Sequence, residues 1–490
     1  MTDPVQQHRP PVAAPAAVPP HELSRRRRLL ILAICSMSLF VVGIDNTAVN
    51  LALPSIRAGL GSSLSQLQWV VDAYTLVLAS LLMLSGSVAD RIGRRRVFQT
   101  GLLLFGLGSL LCSLSVSTGM LIGARMLQAI GGSMLNPVAM SIITNTFHDP
   151  RERAEAIGIW GGVIGFSMAL GPLIGGTLVD AVSWQAVFWI NLPVVVLAAL
   201  LAALFVPESK APHPRPTDVV GQLLVMVLLA SLTYGVIEGR NLGWTSATVL
   251  LLFLVAVLAL AVLVRYESRR EQPLIDPRFF RSIPFSGAVG AAVLGFSALG
   301  GFLLLNTLYL QDVRGYSPLH AGLLTLPMAG VTVLGAPVSG RVTGRVGPRL
   351  PLLVGGLGIT ASGLLLTRLE ASSSLWLVLL AYVAFGVGFA SLNAPITTAA
   401  VSGMPRAQAG VAAAVASTSR QVGTTLGVAV FGAIVFAKVG ADFAATFAPA
   451  THAAWAVMTG SGVLLVVLAL VTTTAAARAS SHRVAELAGP

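Results

Sequence analysis

Three ionisable side chains stand where a chain this apolar should carry none: Asp45 in "FVVGIDNTAVNLALP" (40 to 54), Asp72 in "WVVDAYTL", and Arg125 in "LIGARMLQAIGG" (121 to 132). A charged, unpaired group in hydrocarbon costs several kcal/mol, ~3 on insertion scales, so such a carboxylate is a functional group by default. Two carboxylates sharing one arginine can bind and release a proton as water access changes, because desolvation opposes ionisation and the nearby cation favours it. The competing reading is a static Asp45 to Arg125 pair, or an aspartate held by Asn46, Thr47 or Asn50 that never titrates. Other chemistry has no foothold. The loops carry no cluster of His, Cys or carboxylates suited to an enzyme, and no Gly-rich loop ending in Lys brings ATP. Cys35 and Cys112 each lie inside an apolar run and form neither a disulfide framework nor a metal site. No cofactor and no metal are expected.

Membrane helices must position these groups. Of 490 residues 55% are hydrophobic and 10% charged, with mean hydropathy +0.82. That is more apolar surface than one soluble core buries, and the chain reads as a polytopic membrane protein. The net charge of +12 would suit a nucleic-acid binder, but the basic residues lie in small clusters between apolar runs, so no nucleic acid is expected. A bilayer core of about 30 Å needs about 20 apolar residues per helix. Fourteen such spans lie between residues 29 and 474, among them 29 to 53, 66 to 85, 119 to 141, 154 to 178, 186 to 206, 374 to 398 and 453 to 474. The residues up to Pro20 are rich in Pro, Ala and Gln and read as disordered. Lys and Arg outside the spans divide 24 to 5 in favour of the side holding the termini, which puts both termini in the cytoplasm of a cell membrane, plasma or inner. Asp45 lies about 25 Å up span one at 1.5 Å per residue, and Asp72 and Arg125 lie roughly 9 Å from the outer ends of spans two and four. All three fall at similar depth in the outer half.

The chain also repeats itself. "GSVADRIGRRR" (86 to 96) aligns without gaps on "GRVTGRVGPRL" (340 to 350), 254 residues later, whereas six spans with loops take about 190. One extra helix pair fills the difference. Spans seven and eight supply it, between the linkers "PESKAPHPRPTD" (207 to 218) and "RYESRREQPLIDPRFFRS" (265 to 282). The organisation read from this is a disordered terminus 1 to 28, a six-helix bundle 29 to 206, an inserted pair with linkers 207 to 283, a second six-helix bundle 284 to 474, and a tail 475 to 490. Internal duplication of this kind is typical of secondary transporters, whose site lies between the repeats.

These stretches resemble signatures of the major facilitator superfamily, in its fourteen-span drug:proton antiporter branch, from about residue 29 to 474. "GSVADRIGRRR" resembles the superfamily's loop signature and "GIDNTAVNLALP" the branch's first-span signature. "LIGARMLQAIGG" resembles its fourth-span signature, "ALGPLIGG" (169 to 176) its antiporter motif, and "FWINLP" (188 to 193) and "STSRQVGTTLGVAV" (417 to 430) also fit. Two departures are the "SWQAVFWINLP" stretch, which lacks the usual Trp-Arg-Trp, and Gly344, which replaces the Asp of the second loop copy. The resemblance implies an all-α fold of fourteen transmembrane helices, with two six-helix bundles related by pseudo-two-fold symmetry plus the inserted pair. It implies export of amphipathic drugs or antibiotics in exchange for protons, by a monomer whose partners are the drug, protons and the bilayer. A transporter of an endogenous metabolite, or an importer of the same superfamily, is the alternative.

Residue roles follow on the same terms. Asp45, Arg125 and Asp72 are the proton-coupling set, and Asp45→Asn should abolish coupled efflux with expression intact. Gly86, Asp90, Arg91, Gly93, Arg94 and Arg95 form the conformational motif. Gly86 and Asp90 sit one helical turn apart, Gly93 supplies a turn, and the arginines meet anionic lipid. The resemblance implies that Asp90 pairs with the other bundle in the outward-open state. Gly158, Gly161, Gly162, Gly165, Gly171, Pro172, Gly175 and Gly176 read as a closely packed helix bending at its proline, and the last four are the antiporter motif. Substrate-binding candidates are Asn46, Tyr74, Gln128, Asn306, Arg420 and Gln421, with Arg420 read as capping a carbonyl. Tyr74, Phe296, Phe302 and Tyr309 read as lipid-facing, with contact to an apolar substrate as the alternative, and His320 and His452 as solvated at the outer surface.

Overall fold

The computed structural model describes residues 24–211, 218–270, 273, 275–402 and 409–488. Of the terminus 1 to 28 read as disordered, residues 1–23 lie outside them, whereas Ser24 caps a helix whose first turn is Arg25 to Arg28, so that part of the reading is corrected. Among the described residues the regular structure is helical: α1 (Arg25–Leu60), α2 (Leu64–Ile92), α3 (Arg94–Ser113), α4 (Thr118–Thr146), α5 (Pro150–Ala181), α6 (Ala186–Trp189) and α7 (Asn191–Phe205) come first. The pair α8 (Val219–Leu242) and α9 (Ala247–Glu267) follows. After it come α10 (Ile283–Leu308), α11 (Pro318–Val346), α12 (Arg349–Leu366), α13 (Leu375–Ala390), α14 (Asn393–Val401), α15 (Ala409–Phe436), α16 (Phe443–Thr472) and α17 (Ala475–Ala488). Among the described residues thirteen helical runs are long and apolar enough to cross a membrane, with α6 and α7 counted as one run and α13 and α14 as another. The 32-residue α5, apolar over Leu170–Ala181, is the fourteenth expected span.

Local chemistry sets the helix ends. Ser63 caps α2 and Gln66 returns the bond to the Ser63 N–H, a reciprocal box that satisfies two orphan donors. Ser117, Ser246, Ser317 and Ser374 cap four more helices through their hydroxyls. Two expected spans are broken. Pro193 cannot donate to the Trp189 carbonyl, and 186 to 206 divides into α6 and α7. Pro395 likewise cannot donate to Ser391, and 374 to 398 divides into α13 and α14. The last span begins earlier than 453, because Asp442 caps α16 at Phe443. His452 therefore sits inside that helix and donates to the Leu369 carbonyl at 2.7 Å rather than being merely solvated. Residues 475 to 488 are not a plain tail but the helix α17, whose Ser480 hydroxyl accepts from the Ile283 N–H at the start of α10.

Helices α1 to α7 pack on one another, and α10 to α16 form a second group. Of the inserted pair, α8 lies against α2 and α15, one helix from each group, and α9 packs on α8. Arg28 pairs with Glu152 at the starts of α1 and α5, and Glu208 follows α7 at the start of α3. Counting crossings from there puts the starts of α8 and α10, with α17, on that same terminal face. Phe302 and Tyr309 are fully buried in the large core cluster, and Phe296 packs against it. Their expected lipid-facing positions are not observed, because these aromatics fill the contact between α10 and its neighbours. Phe302, for instance, stacks on Phe385 with ring centroids 4.1 Å apart.

Candidate proton and substrate site

Five helices converge on Asp45. Arg125 and Gln128, three residues apart, share one face of α4. Gly108 lets α3 back directly onto Gln128, since a Cβ there would lie 2.5 Å from the Gln128 backbone. Asp45 Oδ2 accepts from Arg125 Nη1 at 2.5 Å, and Oδ1 accepts from Gln128 Nε2 at 2.8 Å and Asn191 Nδ2 at 3.0 Å. Arg125 also donates to Gln128 Oε1 at 2.7 Å and, through Nε, to the Val70 carbonyl at 3.2 Å. Its guanidinium lies 4.1 Å from the Tyr74 ring centre. Ser109 accepts from both Gln128 and Asn191, at 3.0 and 2.8 Å. Asp45 is 0% and Arg125 1% exposed. A buried pair persists only when its remaining lone pairs and protons are bonded, which this network achieves.

Asn191 and Ser109 were not among the sequence candidates. The available signal for Asn191 was an amide inside an apolar run, two residues before Pro193 and immediately after the break between α6 and α7. Asn46 stays outside the network, half-buried, with its carbonyl accepting from Asn50 Nδ2. Asn50 and Thr47 likewise bond to backbone, so the aspartate's partners are not its own helix neighbours.

Asp72 does not join them. Val70 and Tyr74 face Arg125, and Asp72, two residues from each at 100° per residue, points to the other side of α2. That side carries Gln68, which donates to the Val428 and Ala429 carbonyls at 3.0 and 3.1 Å, and Thr75, which accepts from Thr425 at 2.8 Å. Asp72 therefore lies on the seam between α2 and α15, between the two helix groups. It is 0% exposed, and neither carboxyl oxygen has a hydrogen-bond partner. The expected convergence of three groups is replaced by a satisfied pair inside one group and a bare carboxyl on the seam.

The seam is closed in the half away from the termini. Gln311 donates to the Leu51 carbonyl at 2.7 Å, Arg57 pairs with Asp312 at 3.4 Å, and Asp180 accepts from the Leu319 N–H at 3.0 Å. The stretch from Gly171 to Gly176 sits in this closure. Gly171 and Gly175 admit Thr47 and Ala48 of α1, while Gly176 admits the start of α11, where a Cβ would meet Leu319 at 2.7 Å. The packing is looser toward the start of α5. Gly158 and Gly162 face open space, contrary to the expectation of a tightly packed helix throughout. Beneath the closure a small cavity lies between the groups. Asn50, Thr47, Leu303, Thr307, Thr325 and Met328 are among its walls. Asn50 Oδ1 has no partner.

None of the six substrate candidates lines that cavity. Tyr74, buried rather than lipid-facing, and Gln128 belong to the Asp45 network. Asn306 accepts from Tyr382 at 2.9 Å and donates to the Phe302 carbonyl, both within the second group. Arg420 reaches Thr397 and the Asn393 carbonyl on α14, and Gln421 is half-buried beside it.

In the loop motif, Asp90 accepts from Arg94 of its own loop at 3.0 and 3.1 Å. The nearest atom to a Cβ on Gly86 belongs to Pro137 of the same group. Gly93 adopts φ +128°, a region that favours glycine, and a Cβ there would collide with Glu208 at 2.7 Å. Glu208 instead accepts from the Arg95 and Arg96 N–H groups at 3.0 and 3.3 Å, placing a carboxylate at the positive end of α3. Arg95 donates to the Val206 carbonyl, Arg94 N–H to Ser209, and Ala211 N–H to Asp90. The arginine run is thus tied partly to the linker, not only to lipid, with Arg96 left largely exposed. Glu208→Gln should cost about 1 kcal/mol, measured as a lower melting temperature in detergent. An unchanged melting temperature would show that the carboxylate is incidental.

A family model described as Major Facilitator Superfamily matches residues 35–428. The chain is 36% identical to the multidrug resistance protein Stp of Mycobacterium tuberculosis, over 85% of this chain and 77% of that protein. It is 39% identical to the tetracenomycin C resistance and export protein of Streptomyces glaucescens, over 84% and 77%. Its fold is similar to that of a POT family transporter solved with 5-aminolevulinic acid, with TM-score 0.68 at 17% identity, covering 92% of this chain and 97% of that one. With a family match across most of the chain, relatives aligned over most of their length, and the helical fold of solved transporters, this multi-pass membrane protein belongs to the Major Facilitator Superfamily and is a transporter rather than an enzyme.

Proposed function

We propose that the protein exports amphipathic drugs or antibiotics in exchange for protons, the two helix groups rocking about the cavity between them. Its relatives carry names of drug resistance and export. The excess of Lys and Arg on the terminal face orients that face to the cytoplasm, so the closed half is the outer one and the conformation is inward-facing. In this state Asp90 is held by its own loop; outward opening hands it to the other group.

The observation that carries the coupling is Asp72. It is a buried carboxyl within a span, and neither of its oxygens has a hydrogen-bond donor. It lies on the seam that must open when the groups rock outward, so the motion that releases drug lets Asp72 take up a proton from the outer side, and drug binding in the inward-facing state displaces that proton to the cytoplasm. Asp45 and Arg125 belong to a single group, and their bonds survive rigid rocking. They hold α1 to α4 and set the charge behind the cavity wall. The six-helix bundles at 29 to 206 and 284 to 474 are the moving units, with the inserted pair bracing the α2 to α15 seam, and one copy of the chain suffices.

Drug-susceptibility profiling of a sensitive host overexpressing the protein tests this. Several-fold resistance to amphipathic drugs is expected, and a protonophore should remove it. Resistance that survives the protonophore would overturn proton coupling.

A further inference from the structure

We propose that Arg420 is a subsite for an acidic group on the transported drug, so that the preferred substrates are amphipathic anions. The inference deepens the export reading above and rests on it. The broken span makes the site. Where α13 stops at Ala390 and α14 restarts at Asn393, Arg420 on α15 reaches across to the Asn393 carbonyl at 3.4 Å, which also accepts from the Thr397 hydroxyl at 3.1 Å, and to that hydroxyl itself. Both acceptors are neutral. The ion pairs of the described residues include Arg125 with Asp45 but give Arg420 no carboxylate within 4.0 Å. Its Nε is buried without an acceptor.

A cation deep in a span faces protein or water rather than lipid. Around Arg420 the polar side chains are open: Asn393 and Thr398 are exposed and Gln421 half-buried, although all lie within spans. Such a polar, accessible patch on α14 and α15 borders a water-filled path. Beside it, the Arg420 guanidinium stands 5.9 Å from the Phe296 ring, which packs edge-on to Phe389 at 5.1 Å. A ligand completing this constellation has a carboxylate or similar delocalised anion for the guanidinium's free donor, and a flat apolar body for the rings.

The test is binding to the purified full chain in detergent, followed by fluorescence anisotropy of anthracene-9-carboxylate and its neutral isostere anthracene-9-carboxamide. Wild type should bind the carboxylate about tenfold more tightly. Arg420→Gln should erase that preference and leave the amide's Kd unchanged, and Arg420→Lys should restore it in part. Equal binding of both probes by wild type, binding of neither, or equal weakening of both in the variant would overturn the proposal. The wild-type comparison stands even where a variant fails to fold. Since binding needs no gradient, failure here is distinct from failure of proton-coupled export, which the protonophore test decides.

Discussion

Asp45→Asn is expected to lower the yield of folded protein and to reduce drug efflux to background. The substitution leaves Arg125 buried without a counter-charge, and breaking such a pair costs about 3–5 kcal/mol. The loss propagates, because Gln128 and Asn191 each donate to the same carboxylate oxygen and lose their charged acceptor. Arg125→Gln combined with Asp45→Asn removes both charges, and should recover a large part of the stability without recovering efflux. Melting in detergent reads the first effect, and loss of a fluorescent drug from loaded cells reads the second. From sequence alone, Asp45→Asn would spare expression. The bonded network changes that expectation, since the aspartate has too many partners for its replacement to be silent. Normal yield and normal efflux together would contradict the assigned network.

Asp72→Asn is expected to do the opposite. Neither oxygen of Asp72 is bonded, so an amide of the same shape loses no partner, and folding should change by less than about 1 kcal/mol. Gradient-driven efflux should nevertheless fall about 100-fold or more, because the seam no longer carries an exchangeable proton. Substrate exchange down its own gradient should persist and become insensitive to pH. Counterflow of labelled drug in proteoliposomes, measured at two pH values, separates these outcomes. Counterflow lost together with gradient-driven transport would assign Asp72 to the cavity's architecture instead.

Much of this was legible before the fold. Apolar run length gave the spans, and the repeat of the "RIGRRR" loop gave the inserted pair now seen as α8 and α9. Depth counting placed Asp45 level with Arg125, and the two are bonded. Rotation about the helix axis was not legible. Depth fixes position along a helix, but in spans that are apolar nearly all round no polar stripe reports which way a side chain points. Asp72 is level with the pair yet faces α15, and only the packing of Val70 and Tyr74 on α4 determines that. Asn191 escaped notice for a related reason: an amide in a broken span looks like part of the break until the third dimension brings it to Asp45. Glu208 lay in a linker that read as a spacer, although it caps α3 across more than a hundred residues of chain. The cavity walls, drawn from Thr47, Asn50, Thr307 and Thr325, are ordinary residues for a membrane helix and acquire meaning only by facing one another.

Proton release on drug binding tests the central claim most directly. Purified protein in weakly buffered detergent solution, with a pH-sensitive dye, receives a drug to which the host has become resistant. Wild type should release protons as the drug binds, and Asp72→Asn should bind the drug and release none. Undiminished proton release from Asp72→Asn would contradict the account.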